Sequence, residues 1–145
     1  MSEKENTHLA EQAISALNAH DLDRFVKLLD SSYVLELELA QGKIHGPDGA
    51  RQHLEAYLKA FPDLRIDVEQ IIASGDHVVV RARVTGTQKG NFMGIAPTNK
   101  MIKWQVCDVF EVKNGKMVRD RVYAENAKVF QQLGVLSIPR TQAAG

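Results

Sequence analysis

The stretch Trp104–Gly134, WQVCDVFEVKNGKMVRDRVYAENAKVFQQLG, combines two strand patterns, a tight turn and a helix. Apolar and polar residues alternate up to about Val112, and a second strand pattern begins near Lys116. The dipeptide Asn114-Gly115 between them is typical of a type I′ turn, so the two strands should form an antiparallel hairpin. A final helix follows, and Gly134 ends it.

A single acid interrupts the apolar face of the first of these strands. Asp108 shares that face with Trp104, Val106, Phe110 and Val112. Burial among apolar groups raises the pKa of a carboxyl group, so a neutral Asp108 could donate a hydrogen bond to an oxyanion or act as a general acid. The alternative is a buried aspartate that a neighbouring hydroxyl, arginine or backbone amide satisfies.

The composition of the 145 residues indicates one soluble globular domain. Hydrophobic residues make up 44% and charged residues 25%, and 18 basic residues balance 18 acidic ones. This balance leaves no basic stripe, so we expect neither nucleic acid nor a membrane as partner. The polar start MSEKENTH lacks the apolar run of a secretory signal, and no run approaches the roughly 20 residues of a membrane span. A cytoplasmic location is the expectation.

Cysteine and histidine usage gives no sign of a metal site. The single cysteine, Cys107, excludes an intramolecular disulfide and a multi-cysteine zinc site. None of the five histidines pair at metal-ligand spacing, and no glycine-rich phosphate motif is present, so we predict neither metal nor cofactor. His45 precedes Gly46-Pro47 near the expected rim of a pocket, although a solvated or capping histidine is the alternative.

Upstream of the opening stretch, periodicity predicts three helices and further strands. Thr7 and Asp21 are the candidate N-caps of the first two helices. The predicted elements are a helix over 7–19, a short helix over about 22–29, a strand over 32–39, an edge segment at 44–45, a helix from 46–48 to Pro62, and strands over 64–72 and 77–84.

The order of these elements predicts an α+β fold. Strands cluster late in the chain and form hairpins with one another, which indicates a curved antiparallel sheet wrapped around helices. Such a sheet leaves a cone-shaped cavity for a ligand. The loop over 89–100 carries Phe92 and Met93, so we expect it to fold over that cavity. We predict one domain over 1–145, with a core of about 7–136 and a loose tail over 137–145.

Short motifs along almost the whole chain, in this order and spacing, carry a family resemblance. The motifs are Ala16-Leu17-Asn18-Ala19-His20-Asp21-Leu22-Asp23, Phe61-Pro62-Asp63-Leu64-Arg65, Gly86-Thr87, Gly94-Ile95-Ala96-Pro97-Thr98-Asn99-Lys100, Asp108-Val109-Phe110, Asn114-Gly115-Lys116 and Gln131-Gln132-Leu133-Gly134. Together they resemble the SnoaL-like polyketide cyclases of the nuclear-transport-factor-2-like superfamily. The resemblance implies a cystatin-like α+β barrel around a pocket, commonly a homodimer, and cofactor-free aldol chemistry in which a carboxylate moves protons.

When the functional residues of these enzymes are carried over to this chain by position, few of them meet a residue of the same kind. The general acid/base aspartate of the cyclases falls on Val122, and a second acid common in them falls on Glu125. Asp108 falls on their supporting histidine and on an acid of the related ketosteroid isomerases, which donates a hydrogen bond to the substrate oxyanion. The isomerase tyrosine falls on Ala13, and the isomerase base on or near Leu37.

Three acids are candidates for a base beside Asp108. Asp120 has the strand parity to face the cavity, but it could equally be a solvated or salt-bridged acid at the cavity mouth. Glu125 lies where strand becomes helix, either as a displaced base or as a first-turn acid favoured by the helix dipole. Glu36 could be the base, although hydrophobic patterning puts Leu37 inward and Glu36 outward.

These observations support three hypotheses. The first is a cofactor-independent enzyme that cyclises, isomerises or hydrates an apolar carbonyl compound by proton transfer. The second is a protein that binds an apolar small molecule without catalysis, which Val122 in the cyclase acid position favours. The third is a scaffold that uses the outer sheet face, with Arg81, Arg83, Gln105, Arg119 and Arg121. The predicted pocket residues are Trp104, Val106, Phe110, Val122, Phe92, Met93, Tyr57, Leu37 and His45.

Overall fold

The computed structural model describes residues 2–141, in which four helices and six strands form an α+β fold. The elements are α1 (Glu3–Asn18), α2 (Leu22–Val26), β1 (Leu29–Leu37), β2 (Ile44–His45), α3 (Gly46–Ala60), β3 (Arg65–Ser74), β4 (His77–Thr87), β5 (Met101–Lys113), β6 (Lys116–Ala124) and α4 (Asn126–Gln132). Each predicted element is therefore confirmed, with shifted ends. Of the predicted loose tail, 137–141 form no helix or strand, and 142–145 lie outside the described residues.

All six strands belong to one mixed sheet in the order β2-β1-β6-β5-β4-β3. Neighbouring strands are antiparallel except β1 and β6, which run parallel. Asn114 and Gly115 have φ angles of 50° and 75°, and positive φ at both positions is what a type I′ turn between β5 and β6 requires. The sheet stays open, with β2 and β3 at its edges, so the barrel that the resemblance implies does not close.

The helix caps confirm one prediction and correct another. The Asp21 side chain accepts a hydrogen bond from the backbone N–H of Arg24 at 3.0 Å, as an N-cap does. The first helix begins earlier than predicted, because Ser2, not Thr7, caps it. Its first turn is polar, so apolar periodicity could not reveal it. No helix within residues 2–141 combines the length and the apolar character that crossing a membrane needs.

Two apolar clusters between the helices and the inner sheet face form the core. The first includes Tyr33, Val78 and Phe110, and the second includes Phe61 and Trp104. Side chains of both clusters line one cavity, so the fold leaves space where the clusters meet.

Candidate active site

A partly open cavity of about 150 Å³ lies between the sheet and the helices. Its wall is mainly apolar, and a cavity of about this volume in a protein core can bind benzene. Seven of the nine residues expected to line a pocket are on its wall. They are Leu37, Tyr57, Phe92, Trp104, Val106, Phe110 and Val122.

The other two expected pocket residues lie outside the cavity. Phe92 and Ile95 bridge through paired backbone hydrogen bonds, and this tight turn buries Phe92 while it leaves Met93 55% exposed. His45 is exposed in the edge strand β2, immediately before α3. The placement of Met93 and His45 in the pocket is therefore wrong, since an apolar loop does not by itself show which side chain turns inward.

Two aspartates meet on the inner face of the β5–β6 hairpin. Asp108 pairs with Val122, and Phe110 pairs with Asp120, so the two acids are diagonal neighbours on one face. Their carboxyl groups share a hydrogen bond, and both line the cavity. Asp120 is 5% exposed, and its Oδ1 atom has no hydrogen-bond partner among the described residues. The interpretation of Asp120 as a solvated or salt-bridged acid is therefore wrong.

The surroundings of the two aspartates raise both pKa values. Burial raises the pKa of Asp108 to about 6, against a smaller, opposing effect of the hydrogen bond with Asp120. Burial also raises the pKa of Asp120 well above its ordinary value, and the charge of Asp108 raises it further. Since two carboxylates in contact do not both ionise readily, the pair holds one proton at neutral pH. Asp120, the more deeply buried acid, holds that proton, and Asp108, which is partly exposed to the cavity, carries the charge.

Tyr33 lies beside this acid pair, and the sequence analysis missed it. The tyrosine is 2% exposed and lines the cavity. Burial raises the pKa of its phenol well above the ordinary value, and the charges of Asp120 and Asp108 contribute to the rise. The phenol therefore stays neutral and able to donate. Strand parity was the available signal, because Tyr33 alternates with Leu35 and Leu37 on the inward face of β1.

Glu36 lies on the outer face of the sheet and does not reach the cavity. Its Oε2 atom is 2.9 Å from Nε of Arg121 and 3.2 Å from Nη1 of Arg119, and its Oε1 atom is 3.4 Å from Nζ of Lys43. Partial burial is the largest single influence and raises the pKa of Glu36, but the three cations together lower it. Glu36 is therefore an ion-paired carboxylate, and its assignment as the base in the pocket is wrong.

Glu125 also lies outside the cavity, at the start of α4. Its carboxylate accepts a hydrogen bond from the backbone N–H of Gln105 at 2.8 Å and is 3.6 Å from Nζ of Lys128. These contacts tie the beginning of α4 to β5, and the side chain is exposed. Glu125 is the N-cap residue of α4 and its side chain makes no capping hydrogen bond, so it is neither a base in the cavity nor an acid of the first helical turn. Of the three candidate bases, only Asp120 shares the cavity with Asp108.

The cavity mouth carries a polar pair that the sequence analysis did not assign to it. Nδ2 of Asn126 donates a hydrogen bond to Oε1 of Glu38 at 2.7 Å. Both residues line the cavity and also the shallow groove outside it, so they mark the opening. Strict strand alternation would put Glu38 on the outer face with Glu36, but β1 ends at Leu37, so the position of Glu38 at the cavity mouth follows from the turn and not from the strand.

His53 of α3 is the histidine on the cavity wall, and it too was missed. Its ring centroid is 4.9 Å from that of Tyr57, and burial lowers the pKa of the imidazole. Helical spacing was the available signal, because His53 follows Ala50 by three residues and precedes Tyr57 by four. Across residues 2–141, His, Cys, Asp and Glu side chains nowhere gather in a group of three or more that could hold a metal ion.

Comparisons with known proteins assign this chain to a protein family. The family described as SnoaL-like polyketide cyclase matches residues 7–133, so the chain belongs to this family. AclR from Streptomyces galilaeus, a proposed hydroxylase, has a similar structure with a TM-score of 0.85 and 29% sequence identity, over 96% of this chain and 91% of that one. The search of curated proteins found no match.

Two further solved structures have the same fold. IdmH from Streptomyces antibioticus, a proposed polyketide cyclase, has a TM-score of 0.78 and 25% identity, over 90% of this chain and 99% of that one. A Catenulispora acidiphila protein with a ketosteroid isomerase-like fold, solved with trimethylamine, has a TM-score of 0.76 and 12% identity, over 88% and 93% of the two chains. At 12% identity the last comparison concerns the fold alone.

Proposed function

We propose that the protein is a cofactor-independent enzyme that cyclises, isomerises or hydrates an apolar carbonyl compound by proton transfer. The observation that carries this proposal is the acid pair Asp108–Asp120 in an apolar cavity. A pKa of about 6 leaves Asp108 mainly ionised at pH 7 yet basic enough to accept a proton. Asp120 and the neutral phenol of Tyr33 can donate hydrogen bonds to an oxygen.

In this mechanism Asp108 takes the proton from a carbon next to the substrate carbonyl. The electron pair of that bond moves to the carbonyl oxygen, where Tyr33 or Asp120 stabilises the enolate by hydrogen bonding. The apolar wall strengthens these interactions, because electrostatic effects are larger where water is excluded. Return of the proton to another carbon completes an isomerisation. In a cyclisation the enolate carbon attacks a second carbonyl group, whose π electrons move to its oxygen, and the proton that Asp108 holds passes to that alkoxide oxygen.

The alternative function is binding of an apolar small molecule without turnover. Val122 supports it, because the resemblance puts the general acid/base of the cyclases at that position. Asp108 and Val122 are paired across the hairpin, so within one cavity the position of the cyclase acid is apolar while the position of the isomerase acid keeps its carboxyl group. The binding protein would use the same wall residues and would need no ionised Asp108.

Exchange of acetophenone methyl protons with solvent deuterium, followed by NMR, tests the proposal. Asp108→Asn removes the base and keeps the side-chain shape, so exchange should slow at least about 100-fold. The fluorescence of Trp104, the single tryptophan and a residue of the cavity wall, reports binding separately. Glu36→Gln on the outer face is the matched control and should exchange at the wild-type rate.

The outcomes separate the two functions. Unchanged exchange in Asp108→Asn would remove this residue from the mechanism. Saturable binding to the wild type without exchange above the protein-free rate would favour the binding protein. The homodimer that the resemblance implies stays a prediction, which the molar mass in solution by light scattering tests.

A further inference from the structure

His53 lies on the wall of the cavity that α3 forms, between an acid end and an aromatic end. The acid end is defined by Asp108, Asp120 and Tyr33, and the aromatic end by Phe92 and Trp104. Ala50, one helical turn earlier, packs in the cluster that contains Tyr33 of the acid end. Tyr57, one turn later, packs edge-on against Phe92 of the aromatic end, with ring centroids 5.4 Å apart. Because an α-helix rises about 1.5 Å per residue, the imidazole stands between these two levels.

The hydrogen-bonding groups of His53 are open to a ligand. Within the described part of the chain neither ring nitrogen has a hydrogen-bond partner, whereas Nε2 of His20 lies 3.0 Å from the Leu64 carbonyl. His53 is partly buried, and its ring nitrogens are not among the buried atoms that lack a partner, so they remain accessible to a molecule in the cavity. Burial lowers the pKa of His53, and the neutral ring offers one donor and one acceptor.

Beside His53 on the wall, the phenol of Tyr57 is the neighbouring polar group, with the two ring centroids 4.9 Å apart. Leu54, Ile66 and Val106 line the cavity with hydrocarbon only. A ligand whose reacting carbonyl lies at Asp108 has to extend past this region to fill the aromatic end. A polar group on that part of the ligand would therefore meet the imidazole of His53, with the phenol of Tyr57 beside it.

We propose that His53 is a specificity-determining residue, which selects carbonyl compounds that carry a second oxygen function, a hydroxyl or another carbonyl, remote from the reacting one. This inference rests on the proposed function, because the acid pair fixes which end of the ligand carries the reacting carbonyl. His53 need not move a proton in the reaction. Its contribution is a hydrogen bond to the second oxygen.

The test compares the binding of acetophenone and para-hydroxyacetophenone through the fluorescence of Trp104. The wild type should bind the hydroxylated compound about fivefold more tightly, which corresponds to one neutral hydrogen bond. His53→Phe keeps an aromatic ring and should bring the ratio of the two affinities close to one. His53→Gln keeps a donor and an acceptor and should retain part of the preference. His77→Gln makes the same change at an exposed histidine outside the cavity and should leave the ratio unchanged.

A general loss of structure would lower both affinities together and would leave their ratio intact. The same preference in His53→Phe as in the wild type would overturn the inference, and so would saturable binding of neither compound to the wild type. If His53→Phe does not fold, the imidazole ¹⁵N resonances of the wild-type protein replace it. They should shift with para-hydroxyacetophenone but not with acetophenone, and equal responses would overturn the inference.

The proposed function and this inference fail in different measurements. Absence of methyl-proton exchange in the wild type would contradict the proton-transfer enzyme and leave the affinity ratio unaffected. An affinity ratio that is independent of His53, together with exchange that depends on Asp108, would contradict the inference alone.

Discussion

Strand β6 carries charged side chains on both faces of the sheet. On the outer face these side chains form ion pairs with an acid, and on the inner face an acid is buried beside another acid. Arg119 and Arg121 point outward and pair with Glu36. Asp120, between them in sequence, points into the cavity and shares a hydrogen bond with Asp108. Successive side chains of a strand point to opposite faces, so one step along the chain separates an ion-pair network from a buried acid pair.

The pKa values record this difference. Burial opposes ionisation on both faces, and it is the largest single influence on Glu36 as well as on Asp120. On the outer face Arg119, Arg121 and Lys43 outweigh it and lower the pKa of Glu36. On the inner face a second acid adds to the effect of burial and raises the pKa of Asp120. A carboxyl group in this sheet thus has a lowered pKa where cations surround it and a raised pKa where a second acid and apolar groups do.

The contrast between the two faces predicts its largest effect, on the rate of proton exchange, for substitution of Asp120. Asp120→Asn replaces the neutral carboxyl group by a much less acidic amide donor, so stabilisation of the enolate weakens and exchange of acetophenone methyl protons should fall about 100-fold or more. NMR measures the exchange rate, and circular dichroism checks that the fold is retained. Full exchange activity in this variant would show that Asp120 only positions Asp108.

The pH dependence of stability should differ in sign between the two faces. In the unfolded chain an aspartate ionises near its ordinary pKa of 3.8, whereas folded Asp108 ionises near 6. The folded protein therefore loses stability as pH rises from about 4 to about 6, by up to about 1.4 kcal/mol per pH unit for one acid, and Asp120 extends the loss to higher pH. For Glu36, whose folded pKa is lowered, stability is lost as pH falls through that pKa.

Urea unfolding of the wild type and of an Asp108→Asn, Asp120→Asn double variant measures the inner-face contribution. Relative to the wild type, the double variant should gain stability between about pH 5 and about pH 7, because it has no acid that ionises only on unfolding. Parallel stability profiles of the two proteins over this range would contradict the raised pKa values.

Most of the fold could be predicted because its determinants are local. Asn114-Gly115 fixes the central hairpin through positive φ angles, and Asp21 marks a helix start through a hydrogen bond three residues away. Periodicity showed the buried face of β4 and β5, whereas the register shift between Val68 and Gln70 leaves Val68 of β3 41% exposed, which alternation could not show. The closure of the sheet could not be derived in this way, because it depends on whether the edge strands β2 and β3 meet, which no local pattern records.

The site was harder to predict, because depth and partners depend on which strands are neighbours. Parity placed Asp108 and Asp120 on one face, but only the register of the hairpin brings their carboxyl groups together. Glu36 could not be assigned to an ion-pair network until β1 was placed beside β6, which carries both arginines. His53 and Tyr33 were missed because each occupies an ordinary core position in its own element.

The smallest effect on stability is expected for a substitution on the outer face of the sheet. Glu36→Gln removes the charge that Arg119 and Arg121 share, so it should lower the urea midpoint near neutral pH by less than the inner-face double variant changes it. The network is partly exposed, and about 1 M salt should reduce the effect of Glu36→Gln, since the Debye length is then only about 3 Å. The inner pair is buried, so the difference between the wild type and the double variant should persist in the same salt. Equal salt sensitivity of the two variants would show that both faces are solvated alike and would remove the distinction on which the proposed acid pair depends.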